Sequence, residues 1–293
     1  MKWEGQRRSD NVEDRRGGGP PGLGGGRRGG GRGLGLGSIV IAVIAAWIFG
    51  INPMTVLGLL GGVDTGAPVA QGPAAPPPAA DREAAFVSTV LADTEDVWHA
   101  LFRSGNSRYR EPKLVLFRGA VPTACGTGQS AMGPFYCPLD SKVYIDLSFY
   151  DELQSRFGAP GDFAQAYVVA HEIGHHVQHL LGTLDTVQRA KQGIPQAQAN
   201  ALQVRVELQA DCYAGVWAHH ADRSRGVVEP GDIEEALNAA AAIGDDRLQR
   251  QARGTVSPES FTHGTSEQRA RWFRRGFDQG SLNACDTFNA QQL

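Results

Sequence analysis

The sequence predicts a mainly helical α+β domain with a small β-sheet, preceded by a single N-terminal transmembrane helix. Apolar residues recur at helical spacing in several long segments. Two short runs, KLVLF (113–117) and KVYID (142–146), have the composition of strands. No charged residue occurs between Arg32 and Asp64. With 293 residues, the chain is long enough for one large domain or two small ones.

The chain divides by composition into four segments. Residues 1–37 are rich in Arg and Gly and lack apolar periodicity, which predicts a disordered tail. Residues 38–60 lie in the uncharged run, which is long enough to cross a bilayer as a helix. Residues 61–80 contain GPAAPPPAA and are predicted to form an extended linker. Residues 81–293 are predicted to form the folded domain.

Arginines flank the apolar run on one side and set its expected orientation. Arg27, Arg28 and Arg32 precede it, so the positive-inside rule predicts a cytoplasmic N-terminus and a periplasmic or extracellular domain. A cleaved signal peptide is the alternative, because APVA (67–70) resembles a cleavage site. The distance of this site from the apolar run favours an uncleaved anchor.

Charge is unevenly distributed along the chain. Residues 1–37 carry eight Lys/Arg and four Asp/Glu, whereas the rest carries 20 basic and 27 acidic residues. The body of the protein is therefore mildly acidic, which does not favour nucleic-acid binding. The composition does not specify an oligomeric state.

Helices in the folded domain are predicted from apolar spacing. The first follows Asp81, and its apolar positions are Phe86, Val90, Val97, Leu101 and Phe102. Residues 184–199 are polar and interrupted, which predicts a loop. Residues 231–253 predict one helix with an Ala-rich face, and Asp245 and Asp246 within it are interpreted as solvent-facing or loop residues.

The most informative motif is HEIGH, within VVAHEIGHHVQHLLG (168–182). His171 and His175 are four residues apart, so on a helix their side chains point the same way and can share one Zn²⁺. Glu172 is rotated away from them and can act as general base on a water. An apolar stripe supports the helix: Ala166, Val169, Ile173, Val177, Leu180 and Leu184.

The third zinc ligand has to come from elsewhere. A metzincin would need Gly and His where this chain has Gln178 and Leu181, so that subclass is excluded. VRVELQADCYAGVW (204–217) offers Glu207, which would complete a His₂Glu site with an open fourth position. Asp211, one turn later, would accept the ring N–H of a zinc-bound histidine. His176 and His179 are left without an assigned role, and His179 is the alternative ligand.

HExxH followed by ExxxD is the gluzincin pattern, and the segment 207–214 resembles HtpX-like membrane metallopeptidases. As a whole, the chain resembles the bacterial putative neutral zinc metallopeptidase family, from Met1 onward. The resemblance implies a zincin-like fold, Zn²⁺ as cofactor, a polypeptide substrate and the ligand set His171, His175 and Glu207. By analogy with such peptidases, the strand 142–146 is expected to be the sheet edge along which the substrate binds.

A further resemblance concerns THGTSEQRARWFRRGF (262–277). His263 and Arg269 are spaced as in the H-P-P-x-x-x-R element of the HtpX-like group, although Gly264 and Thr265 replace the two prolines. The resemblance implies that His263 stabilises the oxyanion or the leaving group and that Arg269 braces its segment. The alternative is a loop histidine without a catalytic role.

Four cysteines lie C-terminal to the apolar run, in what would be an oxidising compartment. Of the three connectivities, we expect Cys125–Cys137 and Cys212–Cys285. A zinc site built from cysteines is disfavoured because no C-x₂-C pair exists, and free thiols would follow from a different topology.

The sequence thus predicts a membrane-anchored zinc metalloendopeptidase with Glu172 as general base. The alternative is a membrane-anchored envelope interaction module with a structural zinc site.

Overall fold

The structure is a computed structural model that describes residues 1–17 and 75–293. Its described residues form a mainly helical α+β fold, which confirms the predicted class. In chain order the elements are β1 (Val12–Asp14), α1 (Arg82–Ser104), β2 (Lys113–Phe117), β3 (Ala120–Thr123), β4 (Gly126–Gln129), β5 (Phe135–Cys137), β6 (Lys142–Asp146), α2 (Ser148–Ser155), α3 (Asp162–Leu180), α4 (Thr183–Ala190), α5 (Gln196–Arg225), α6 (Asp232–Ala242), α7 (Asp245–Arg253) and α8 (Ser266–Gln279). Short 3₁₀ helices occur at Ser130–Met132, Pro258–Ser260 and Leu282–Cys285.

The predicted membrane helix at 38–60 lies outside the described residues, as do residues 18–37 and 61–74 of the flanking segments. Within the two described ranges, no helix combines the length and apolar character needed to cross a bilayer.

The amino-terminal tail is only partly as predicted. Residues 1–17 are not disordered: β1 pairs with β2, and the side chains of Met1 and Val12 are buried. The prediction is therefore wrong for residues 1–17. A strand of three residues among charged neighbours has no measurable periodicity, and its pairing partner lies about 100 positions away in the chain.

The main sheet has the strand order β1-β2-β6-β5. β1, β2 and β6 run parallel to one another, and β5 pairs antiparallel with β6. Both predicted strands are thus confirmed as β2 and β6. However, β6 lies between β2 and β5, so the expectation that residues 142–146 form the substrate-binding edge is wrong. Among the described strands, β1 and β5 are the two edges, and the edge beside β6 is β5, whose three residues are too few to be recognised as a strand from sequence.

Most predicted helices are present, with changed boundaries. The side chain of Asp81 accepts a hydrogen bond from the backbone N–H of Ala84 at 3.0 Å and so caps α1, as expected for an N-cap aspartate. α4 occupies part of the predicted loop 184–199. The predicted helix 231–253 is divided into α6 and α7.

Two glycines allow the helices around the candidate site to approach closely. A Cβ at Gly174 on α3 would lie 2.9 Å from the carbonyl oxygen of Ala210 on α5. A Cβ at Gly276 on α8 would lie 2.0 Å from the carbonyl oxygen of Cys212, also on α5. α5 is therefore held tightly between α3 and α8, so side chains from all three helices meet.

Both expected disulfides, Cys125–Cys137 and Cys212–Cys285, are present. The first joins the hairpin β3–β4 to β5. The second ties the C-terminal 3₁₀ helix Leu282–Cys285 to α5, the helix that carries Glu207 and Asp211.

Candidate metal centre

Three predicted ligands meet where α3 faces α5. Oε2 of Glu207 lies 3.3 Å from Nε2 of His171 and 3.4 Å from Nε2 of His175. One potential ligand atom from each residue lies within 4.8 Å of the others. In a tetrahedral site with bonds of about 2.0–2.1 Å, ligand atoms are about 3.3–3.4 Å apart. The two measured N–O distances therefore fit a tetrahedral metal ion such as Zn²⁺.

His171 is oriented by a buried carboxylate on α5. Its Nδ1–H donates to Oδ1 of Asp211 at 2.8 Å, which leaves the lone pair of Nε2 facing Glu207. The hydroxyl of Tyr167 donates to the same oxygen at 2.5 Å. Tyr167 was not recognised from sequence, although it lies one turn before His171 on the same face of α3.

Arg269 completes this network from α8. Its Nε and Nη2 atoms donate to the two oxygens of Asp211, each at 2.9 Å. Burial alone would raise the pKa of Asp211, but the charges of Arg269 and His171 outweigh burial and lower the pKa to about 2. Asp211 is consequently an anion at neutral pH and keeps His171 in the tautomer that a metal needs. The sequence predicted only that Arg269 braces its own segment.

His175 is oriented by a neutral amide. The side-chain N–H₂ of Gln178 donates to the carbonyl oxygen of Val206 at 2.8 Å and to Oε1 of Gln209 at 3.0 Å. The remaining oxygen of Gln178 therefore has to accept the Nδ1–H of His175, at 2.9 Å. Gln178 entered the sequence argument only as a residue that excludes metzincins, and its role depends on α5, which no local pattern reveals.

Glu172, the predicted general base, lies on α3 beside the two histidines and is 7% exposed. Burial raises the pKa of this carboxyl group, and the positive charge that His171 and His175 can carry lowers it; the net direction is upward. A carboxylate with a raised pKa accepts a proton more readily than an ordinary glutamate. Its environment thus suits a group that takes up and releases a proton.

His263 lies on the loop before α8 and is held by Asp245. The imidazole Nδ1 lies 3.3 Å from Oδ1 of Asp245, whose other oxygen accepts the backbone N–H groups of Thr262, His263 and Gly264. Asp245 is only 8% exposed, so its interpretation as a solvent-facing residue is wrong. The His263 side chain is half exposed; partial desolvation lowers its pKa, but the hydrogen bond to Asp245 and the charge of Glu207 raise the pKa overall. This loop also contacts α5, because Gly264 lies beside Val204 and Leu208.

The two other histidines of α3 bind a tyrosine on β5. Nε2–H of His176 donates to the carbonyl oxygen of Arg110 at 2.6 Å, so its Nδ1 accepts the hydroxyl hydrogen of Tyr136 at 3.0 Å. The hydroxyl oxygen of Tyr136 then accepts Nδ1–H of His179 at 2.6 Å. His176 and His179 therefore connect the metal helix to the edge strand rather than joining the ligand cluster.

Comparison with known proteins identifies the family of the chain. The chain matches the family described as "Putative neutral zinc metallopeptidase" over residues 1–288. No solved structure matches it.

Curated relatives match over most of the chain. It is 53% identical to the uncharacterized protein YpfJ of Escherichia coli K12 over 293 residues, which covers 98% of this chain and 99% of the relative. It is 47% identical over 218 residues to the uncharacterized protein Rv2575 of Mycobacterium tuberculosis, covering 71% of this chain and 73% of the relative. The protein therefore belongs to the putative neutral zinc metallopeptidase family.

Proposed function

We propose that this protein is a zinc metalloendopeptidase that hydrolyses peptide bonds in polypeptide substrates. The observation that carries the proposal is the cluster of His171, His175 and Glu207, in which both N–O distances from Glu207 fit a tetrahedral ion, beside the buried carboxyl group of Glu172. A site that only stabilises the fold would close its fourth position with another protein ligand and would not need a buried base.

Each residue of the site has a distinct task in this proposal. Zn²⁺ held by His171, His175 and Glu207 would supply a Lewis acid that lowers the pKa of a water from about 15.7 towards about 7 and polarises the scissile carbonyl group. Glu172 takes a proton from the attacking water and delivers it to the leaving amine. Gln203 donates to Oε1 of Glu207 at 2.7 Å and thereby leaves Oε2 directed at the histidines.

His263 donates a hydrogen bond to the oxyanion that develops on the substrate carbonyl. Its pKa is raised, which favours the imidazolium form and hence a charged donor. Asp245 fixes the ring through Nδ1, so that Nε2 is the atom available to the substrate. Removing one such donor commonly costs a factor of about 10² to 10³ in kcat.

The substrate chain pairs with β5 in this proposal. β5 forms the edge of the main sheet, and its Tyr136 is bonded to His176 and His179 on the metal helix. An extended peptide added to this edge would be recognised through its backbone. Such recognition fits an endopeptidase, which cleaves within a chain.

We also propose that the domain functions in an oxidising compartment, outside the cytoplasm. Two disulfides support this location, because such bonds persist where thiols are not kept reduced. Membrane attachment through residues 38–60 stays a prediction from sequence.

The test uses two variants and one control. Glu172→Gln is expected to retain zinc at wild-type stoichiometry and to lose peptide hydrolysis, whereas Glu207→Ala is expected to lose both. Glu234→Ala, which changes an exposed glutamate of α6, should leave both unchanged. Metal analysis and cleavage of an unfolded protein substrate give the two readouts. Zinc binding without hydrolysis in the wild-type protein would favour the interaction module with a structural zinc site.

A further inference from the structure

The amino-terminal segment, residues 1–17, is built into the peptidase domain as a strand. Backbone N–H groups of Leu114 and Arg15 donate to the carbonyl oxygens of Asn11 and Leu116 at 2.9 and 2.8 Å, which places β1 in register with β2. Val12, at the centre of β1, is 6% exposed. The segment therefore forms one edge of the main sheet and contributes to the core.

A buried carboxylate in the domain depends on this segment. Glu95 on α1 is 2% exposed, and its oxygens accept hydrogen bonds from Arg7, Ser9 and Asn11 at 3.1, 2.5 and 2.8 Å. A buried charge without partners is strongly unfavourable. Without residues 1–17, the Glu95 carboxylate would either become exposed or stay buried without these hydrogen-bond donors. The segment is therefore an integral part of the domain, and its contacts are specific.

Further contacts extend along α1 and beyond it. Two hydrogen bonds join Ser9 and Ser88. The backbone N–H of Ser9 donates to the carbonyl oxygen of Ser88 at 3.0 Å, and the Ser88 hydroxyl donates to the carbonyl oxygen of Ser9 at 2.9 Å. The indole of Trp3 contacts the ring of Phe86 edge to face, with centroids 5.3 Å apart. The backbone N–H of Lys2 donates to a carbonyl oxygen of the domain at 2.9 Å.

The chain that leaves this segment returns to the domain beside it. The backbone N–H of Asp14 donates to the carbonyl oxygen of Ala75 at 2.7 Å. Arg16 also forms an ion pair with Asp81 at 2.7 Å. The amino-terminal segment is therefore joined to the start of the domain by more than one hydrogen bond. Since three residues reach at most about 11 Å, Gly17 lies within roughly that distance of Asp14 and hence near Ala75.

These distances bear on how the chain meets a membrane. The hydrocarbon core of a bilayer is about 30 Å thick, so one crossing between Gly17 and Ala75 would separate them by at least that distance. An odd number of crossings is incompatible with the contacts of β1 and Glu95. We infer that residues 1–17 and the peptidase domain lie on the same side of any membrane that the intervening chain enters. The flanking arginines predict a single crossing that separates a cytoplasmic N-terminus from an exported domain. The inferred topology differs, because it keeps residues 1–17 and the domain on one side.

The test places one reporter cysteine in each part of the full-length protein. Asp10→Cys lies at an exposed position in the amino-terminal segment, and Gln154→Cys lies at an exposed position of α2. The native cysteines are disulfide-bonded and do not react with a maleimide. Bacterial cells with a permeabilised outer membrane are treated with a membrane-impermeant maleimide before and after lysis.

We expect the same labelled fraction at both reporters before lysis. Labelling of both supports a shared, exported location. Labelling of neither before lysis, and of both after it, supports the shared side while contradicting the proposed oxidising compartment. Labelling of only one reporter before lysis overturns the inference. The outcome is independent of peptidase activity, so the proposed function stands or fails separately.

Discussion

Arg269 and Asp211 form a bidentate ion pair in the interior, with both N–O distances at 2.9 Å. Arg269 is 2% exposed and Asp211 is fully buried. Asp211 also accepts the Nδ1–H of His171, so the pair connects α8 to the metal-binding face of α3. Formation of the metal site is thereby linked to correct docking of α8.

The first prediction concerns this pair. Arg269→Gln would leave Asp211 buried with a much weaker partner, and breaking one side of a buried ion pair costs about 3–5 kcal/mol. We expect a loss of this order in the free energy of unfolding, measured by urea denaturation of the zinc-free protein. Arg274→Gln, which changes an exposed residue of the same helix, is the control. It should change the free energy of unfolding by less than about 0.5 kcal/mol. Equal effects of the two changes would show that the pair does not stabilise the fold.

The second prediction concerns Gln178. Gln178→Leu keeps the approximate volume but removes the oxygen that accepts Nδ1–H of His175, so the imidazole loses its fixed orientation. Loss of such a partner commonly weakens metal binding about 10- to 100-fold. Competition with a chromophoric chelator measures the zinc Kd without reference to activity.

A neighbouring variant supplies the control for Gln178. His179→Gln changes the next residue of α3, which bonds Tyr136 outside the ligand cluster. Its zinc affinity should stay at the wild-type level. If His179→Gln released zinc and Gln178→Leu did not, the ligand assignment would have to be revised.

The third prediction is that Asp245 affects catalysis through His263 and not through metal binding. Asp245→Ala releases the ring of His263 and three backbone N–H groups that fix the loop. We expect both His263→Ala and Asp245→Ala to lower kcat by about 10²-fold, with zinc occupancy unchanged. The double variant should be no worse than His263→Ala alone, because Asp245 acts through His263. Additive losses in the double variant would argue against this coupling.

The sequence predicts features that depend on residues close together in the chain better than features that depend on distant residues. His171, Glu172 and His175 belong to one helix, where a spacing of four residues fixes their relative direction before any tertiary contact forms. Glu207 could be proposed because its own helix also carries a recognisable spacing to Asp211. An even cysteine count beyond the apolar run favoured disulfides, but four cysteines allow three connectivities, and the pairing is established only by the structure.

The remaining features depend on contacts between distant residues. The pairing of Asp245 with His263 requires the fold to bring the start of α7 beside the loop that precedes α8, and neither residue type predicts this contact. Glu95 appears in the sequence as an ordinary polar residue of a helix. Its burial becomes understandable only when Ser9 and Asn11, more than 80 positions earlier, supply its donors. From sequence alone, residues 1–17 therefore have the character of a disordered tail.

The last prediction concerns pH and His176. Burial lowers the pKa of His176 to about 4, and its Nδ1 is committed to the hydroxyl hydrogen of Tyr136. In the unfolded chain a histidine has a pKa of about 6.5. Between these values the unfolded chain binds a proton that the folded chain does not. The stability contributed by neutral His176 is therefore fully present above about pH 6.5 and declines as the pH falls towards about 4, by at most about 1.4 kcal/mol per pH unit.

Thermal unfolding of the zinc-free protein across this range measures the effect. His176→Gln should be less stable than the wild type at pH 7, yet its stability should fall less steeply between about pH 6.5 and 4. His179→Gln removes a partly exposed histidine that bonds the same tyrosine. It should keep the wild-type slope, because the contribution of His176 is retained. Parallel curves for the wild type and His176→Gln would contradict this account, since they would mean that His176 binds its proton equally well in the folded and unfolded chains.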